Sequence, residues 1–485
     1  MTRASRMSND RRSAAALVLA SALTVSAFAA AAMAAPRALP TWSGIPALPD
    51  TSPDKAYEYL QVLAGQIGER PAGSPAESRA VEYIAGQFKA WGLEVTIQPV
   101  DVPFWREKRA RLWAEGGQTF DFPAKAVVFS GLTKPEGLTG EFVDLGTGSE
   151  RDTRGKDLHG KVVLIKRDVY IDYPDYWLTD RLGPLGVAGM IFYSSPGRHG
   201  IPTAYFNFKR ALKEPTIPSV DISYEDAVRL VQMRPKRATI VVDAEVEWRE
   251  SHSVFGELKG ASRPDEVVMF SAHDDTAYTS PGATDDGGGV AAVMELARAF
   301  ATGPRPARTL RFVAWGGHEL GLMGSEKYLR THPEEPRKIV AFINYDGMGS
   351  ALGTIDWTAS GDAKWVQFLH DTQKALGMED VGDVGPSGTD ATNFSSLEVP
   401  SIQIGQRHSI NENHTPADNL ATTAPVGMEE GLALAGAIGL RLATDTSLSF
   451  SHHFPPQVLQ DERDYAARWG WGIIPESNQT PPTTR

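Results

Sequence analysis

The segment His318-Glu319-Leu320-Gly321, at the end of the apolar run 310–315, sits inside a spaced set of imidazoles and carboxylates. Upstream lie His273-Asp274-Asp275 and Gly282-Ala283-Thr284-Asp285-Asp286-Gly287. Downstream lie Asn344-Tyr345-Asp346 and Asn413-His414-Thr415-Pro416-Ala417-Asp418. Taken singly, His273 reads as well as a hydrogen-bonded strand-end residue, Asp285 as an acidic helix cap, Asp346 as a turn residue and His414 as a loop histidine. Taken in order, each at a strand end or in a loop, His273, Asp285, Glu319, Asp346 and His414 predict a metal site. Asp275, two residues after His273, is placed to hold the second ring nitrogen and fix its tautomer. Glycines around Asp285 permit tight turns near an ion. A phosphate loop is disfavoured there, because the Lys-Ser/Thr pair is missing and two negative charges stand at the anion position. Two imidazoles and three carboxylates without a thiolate suit zinc, with manganese or cobalt as alternatives. Two such cations close together activate a water and hold the oxyanion of an attacked carbonyl, which is chemistry for hydrolysing an amide or ester.

The elements that must position these residues follow from periodicity. Short apolar runs at 267–271, 310–315, 339–345 and 401–404 read as strands. Val290, Val293, Ala297 and Phe300 mark one helix face, and 426–443 reads as another helix. Earlier in the chain, Val81, Ile84, Phe88 and Trp91 predict an amphipathic helix closing near Gly92, with a strand over 93–97. Strands alternating with helices predict an α/β domain with a mostly parallel sheet and helices on both faces. In such sheets the site lies beyond the carboxyl ends of the strands. From about 125 to 246 the texture changes to short strands and turns without a ligand cluster, with a helix starting near Ser223 as N-cap. This stretch is read as an inserted, non-catalytic, β-rich domain.

The chain has 485 residues, a net charge of −12 and no cysteine. Its length supports more than one domain and a large core. Its acidity argues against nucleic acid or an anionic membrane surface as partner. Without cysteine there are no disulfides, no thiolate ligands and no cysteine nucleophile. Arg3, Arg6, Arg11 and Arg12 precede an Ala-rich apolar run over 14–32, and small residues at 32–35 lead to Pro36. That pattern predicts a signal peptide over 1–35, export to the periplasm or outside, and no membrane anchor after cleavage. The remaining expectations are a first part of the catalytic domain over 36–124, the insert over 125–246, a second part with the metal site over 247–450, and a fraying, Pro-rich tail over 451–485.

The motifs His-x-Asp, Gly-Ala-x-Asp-Asp-Gly, Arg-Phe-Val-x-Trp-x-x-x-Glu-Leu-Gly-Leu-x-Gly-Ser, Asn-x-Asp and His-Thr-Pro-Ala-Asp, quoted from 273–418, resemble the di-zinc aminopeptidases of the bacterial leucyl aminopeptidase type. That family includes plasma glutamate carboxypeptidase-like enzymes and glutaminyl cyclases. The insert resembles a protease-associated domain. The resemblance implies a zinc aminopeptidase (phosphorylase/hydrolase-like) fold. It also implies one zinc on His273, Asp285 and Asp346 and another on Asp285, Glu319 and His414, with Asp275 orienting His273. It further implies a secreted exopeptidase, an aminopeptidase first of all, that attacks a peptide or amino-acid amide through a metal-bridging hydroxide. Two departures stand out. His318 occupies the family's general-base position, normally a glutamate, and Asn413 stands where many members keep a tyrosine. Gly388-Thr389-Asp390 resembles the family's Ser-Asp-His loop, with Ala391 in place of the histidine. The alternatives are a receptor-like binding protein on the same fold and a glutaminyl cyclase-type acyltransferase.

Overall fold

A computed structural model describes residues 50–471 apart from 117, 168–175, 195–199, 207–210, 212–215 and 408–411. The signal-peptide expectation at 1–35 and the end of the tail lie outside the described residues. The hydrogen-bonded path through the sheet runs Gly382–Val384, Thr354–Ser360, Ser401–Arg407, Ile339–Tyr345, Arg263–His273, Arg308–Trp315, Arg237–Leu258, and continues through Leu138–Asp144, Val162–Lys166, Gly189–Tyr193 and Ser219–Ile222 to Lys125–Ala126. The four strands from Ser401–Arg407 to Arg308–Trp315 are mutually parallel. Thr354–Ser360 and Arg237–Leu258 flank them antiparallel. The sheet is therefore mixed and mostly parallel, as the strand–helix alternation implied.

Those four strands have both faces covered, so they read as nearly unbroken apolar runs. Val267, Val268, Met269 and Phe270 are all buried, and Phe270 stacks on Phe312 of the next strand at 5.2 Å. Helices Gly288–Thr302 and Val426–Thr444 are buried along most of their length. The second comes so close to the sheet that a Cβ at Gly439 would lie 2.3 Å from the Phe270 ring, so only glycine fits there.

Three features differ from the sequence reading. The strand expected over 93–97 runs from Glu94 to Gly116 and pairs along Arg237–Leu258, with one register shift between Glu107 and Arg109. The strand continues through Pro99 and Pro103, because this part of it has a partner on one side only, where a missing N–H costs no ladder bond. Arg237–Leu258 also passes unbroken through position 246, so both parts of the chain share one long strand. Finally, the expected fraying tail contains the helix Pro456–Trp469. Proline at a first helical position starts a helix rather than preventing one. Glu462 anchors this helix by accepting hydrogen bonds from the hydroxyls of Ser360 and Ser395.

One charged network braces the sheet away from the site. Arg311 donates to Glu257 at 2.9 and 3.0 Å and to Glu335 at 2.7 Å, and Lys338 and Tyr328 also donate to Glu335. Burial would raise the Glu335 pKa, but Lys338 and Arg311 outweigh it and pull it from 4.5 to about 2. A depressed carboxylate stabilises the fold above its unfolded pKa, and that contribution is lost as pH falls through the folded value. Glu335→Gln is therefore expected to be less stable than wild type by about 1–3 kcal/mol at neutral pH. Urea unfolding should show this gap closing between pH 4.5 and about 2.

Candidate metal centre

The four parallel strands deliver the site residues at their carboxyl ends. His273 ends one strand, Glu319 follows Arg308–Trp315, and Asp346 follows Ile339–Tyr345. His414 lies beyond Ser401–Arg407, and Asp285 lies in the turn that opens helix Gly288–Thr302. The turn is built for close approach. Gly282 has φ +57°, and a Cβ there would meet Thr276 at 2.3 Å and the Asp285 carbonyl at 2.5 Å. Asp418 holds the same turn, accepting from the Thr284 N–H at 2.7 Å, its hydroxyl at 2.8 Å and the Asp285 N–H at 3.1 Å.

All five residues expected as ligands come together. Asp285 lies between two imidazoles, with Oδ1 3.1 Å from His273 Nε2 and Oδ2 3.3 Å from His414 Nε2. His414 Nε2 is also 3.1 Å from Glu319 Oε2. Asp285, Glu319 and His414 each offer a ligand atom within 4.8 Å of the others, and so do His273, His318 and Asp346. Glu319 is 2% exposed, and its Oε1 has no hydrogen-bond partner. A buried carboxylate oxygen left unsatisfied beside imidazoles is costly, and a cation would satisfy it. The donors, imidazole nitrogen and carboxylate oxygen, fit zinc.

The geometry of His318 argues against its sharing one ion with His273. Its ring stacks on His273 with centroids 3.8 Å apart and planes 5° from parallel. An imidazole binds metal through a lone pair in its own ring plane, so one ion cannot lie in both of two face-to-face planes. His318 Nε2 faces Asp346 Oδ2 at 3.6 Å, while its Nδ1 lies 2.7 Å from Asp390 Oδ2.

Asp275 acts differently from the sequence expectation. Its backbone carbonyl, not its carboxylate, meets His273 Nδ1, at 3.0 Å against 3.8 Å for Oδ1. The carboxylate instead accepts the N–H groups of His318 at 2.9 Å and Glu319 at 3.1 Å. It thus orients the turn carrying both residues, and the short side chain turns toward those two donors rather than back to its neighbour's ring.

The electrostatics are those of crowded carboxylates. Burial pushes Asp346 and Asp275 up to about 6. Burial also opposes the Asp285 charge, but its hydrogen bonds to His273 and His414 prevail and hold its pKa well below the usual value. His273 is buried too, yet Asp285, Asp286 and Asp346 push its pKa well up. Burial and His273 lower the His318 pKa, while Asp390 raises it further, to about 9. Cations bound there would compete with these protons and push the His318 pKa back down, leaving a neutral imidazole able to accept one.

Sequence reasoning missed several supporting groups. Arg70 is fully buried and donates to the carbonyls of Asp274 at 2.7 Å, Pro281 at 2.8 Å and Gly282 at 3.1 Å, tying down the turn that carries Asp285. Nothing in Glu69-Arg70-Pro71 distinguishes it from a surface arginine. Thr203 reaches His414 from a distant part of the chain: its N–H donates to the His414 carbonyl at 2.8 Å, and its carbonyl meets His414 Nδ1 at 3.2 Å. Tyr205 packs edge-on to the same imidazole at 6.0 Å. These contacts hold His414 at φ +59°, a left-handed conformation that a non-glycine residue adopts only under constraint. Asn413, at the position of the family's tyrosine, accepts from the Thr284 hydroxyl at 3.4 Å.

Buried imidazoles and carboxylates at the carboxyl edge of a mostly parallel α/β sheet are the arrangement a metal-dependent hydrolase needs. The particular class follows from comparison with known proteins. Residues 253–434 match the model of peptidase family M28. It is 29% identical to bovine (Bos taurus) carboxypeptidase Q over 58% of this chain and 61% of that one. It is 28% identical to aminopeptidase YwaD of Bacillus subtilis (strain 168) over 75% and 79% of the two chains. The fold superposes on the aminopeptidase from Aneurinibacillus sp. strain AM-1 with a TM-score of 0.64 and 25% identity, covering 84% of this chain and 96% of that one.

Proposed function

We propose that the protein is an exported zinc exopeptidase that removes single residues from the amino end of peptides, using two zinc ions. His273, Asp285 and Asp346 would hold one ion and Asp285, Glu319 and His414 the other. The observation that carries this reading is Asp285, with one carboxylate oxygen turned to each imidazole. When bound, the ions polarise the scissile carbonyl and make the attacking water acidic.

The chain's own residues do the rest. Asp275 fixes the turn of His318 and Glu319 through their N–H groups. His318 Nε2 accepts a proton from the attacking water and returns it to the departing amine. The segment 125–246 is proposed as an inserted domain that also steadies the site, because Thr203 and Tyr205 contact His414. The similarity to an aminopeptidase over three quarters of the chain supports the choice of the amino end. Export rests on the N-terminal sequence pattern of basic residues followed by an Ala-rich run. Among the described residues no helix is long and apolar enough to cross a membrane.

A panel of aminoacyl amides, free peptides and N-terminally blocked peptides tests this reading. The expected result is hydrolysis of free-amine substrates that a chelator abolishes and zinc restores, with blocked substrates left intact. Cleavage of blocked peptides from the carboxyl end would overturn the aminopeptidase assignment. A failure of the chelator to inhibit would overturn the metal mechanism.

A further inference from the structure

A histidine in the base position raises a problem that a glutamate does not. The two oxygens of a carboxylate are equivalent, whereas an imidazole has two distinct nitrogens, and only the one with a free lone pair can take a proton. We infer that Asp390 is the positioning residue that selects the working nitrogen of His318, forming a His318–Asp390 dyad in place of the single carboxylate base. This inference rests on the reading of His318 as the proton carrier.

The geometry is specific. Asp390 Oδ2 lies 2.7 Å from His318 Nδ1, and Asp390 is 1% exposed. An Nδ1–H held by a buried carboxylate leaves the Nε2 lone pair free, and Nε2 is the nitrogen that faces Asp346. The other Asp390 oxygen accepts the Ser325 hydroxyl, and Asn393 Nδ2 donates to Ser325 Oγ at 2.8 Å, so the carboxylate is fixed at both oxygens. Asp390 opens the short helix Asp390–Ser395, whose Phe394 stacks on Phe342 at 3.9 Å in the core. The dyad is thus anchored to the sheet rather than to a loose loop. Stacking on His273 sets the plane of the His318 ring.

The protons balance. As the water oxygen bonds to the carbonyl carbon, its proton passes to Nε2, and Asp390 Oδ2 faces Nδ1 of the resulting imidazolium. As the C–N bond breaks, the same proton passes to the leaving amine and His318 returns to its starting state.

The test is a double-mutant cycle in the full-length, zinc-loaded enzyme with Asp390→Ala, His318→Ala and the pair, and with the near-isosteric Asp390→Asn as a folding control. Zinc content and urea unfolding midpoints of the chelated proteins are measured beside kcat and KM. Asp390→Ala is expected to lower kcat by about 10²-fold or more with KM and zinc content unchanged. It should cost less than roughly 3-fold further in the His318→Ala background, and the two unfolding shifts should be non-additive. An equal loss of kcat in both backgrounds, or loss of zinc in both Asp390 variants, would make Asp390 merely structural and overturn the proposal. An unimpaired Asp390→Ala beside an impaired His318→Ala would overturn it too, while leaving His318 as the carrier. Full activity in His318→Ala would remove the reading on which it rests.

Discussion

Asp285→Ala is expected to abolish metal retention at both positions and to lower kcat/KM by roughly 10³-fold or more. Every other proposed ligand would serve one ion, whereas Asp285 presents Oδ1 to His273 and Oδ2 to His414. Removing it takes a donor from both cations and leaves two buried imidazoles facing carboxylates with nothing between them. Asp285→Asn is the milder case, because one oxygen remains and the charge is lost, so one weakly held ion is expected. Metal analysis after gel filtration, alongside hydrolysis rates, checks both variants. Neighbouring Asp286 should behave differently. Its oxygens are occupied by the N–H groups of Gly289, Gly347 and His273, at 3.0 and 3.3 Å, so its loss should reduce stability more than metal stoichiometry.

His318→Ala carries the second large effect, a fall in kcat of about 10²- to 10⁴-fold with KM and zinc content preserved. The split between kcat and metal content separates the two roles that proximity alone would allow. The parallel stack on His273 keeps the His318 lone pairs out of the His273 ring plane, so its removal should leave zinc content unchanged. His318→Glu should recover activity relative to His318→Ala, since a carboxylate accepts the same proton without a partner to choose its tautomer. A large loss of zinc in His318→Ala would instead make it a ligand.

The sheet, and the gathering of the five candidate ligands at its edge, were readable because their physics is local. The apolar runs ending at His273, Trp315 and Tyr345 are buried strands, and every polar residue just past such an end lies where a parallel sheet opens its crevice. What the sequence hid was pairing and direction. The antiparallel strands Glu94–Gly116 and Arg237–Leu258 pair residues more than a hundred positions apart, which no local pattern records. Asp390 was legible as a carboxylate near the site, but its bond to His318 depends on a 72-residue separation that no local pattern records. Spacing places the Asp275 carboxylate beside the His273 ring, whereas it accepts from the His318 and Glu319 N–H groups, since spacing does not say which of several nearby donors a short side chain chooses. Arg70 and Thr203 carried no signal at all, because their work is done on backbone atoms of distant segments.

The central claim is that two cations share Asp285. Calorimetric titration of zinc into chelator-stripped protein, repeated with His414→Ala, tests it most directly. Two equivalents are expected in the wild type, one in His414→Ala, and tight binding in neither position for Asp285→Ala. A single equivalent in the wild type that survives in His414→Ala, or two equivalents that survive Asp285→Ala, would contradict it.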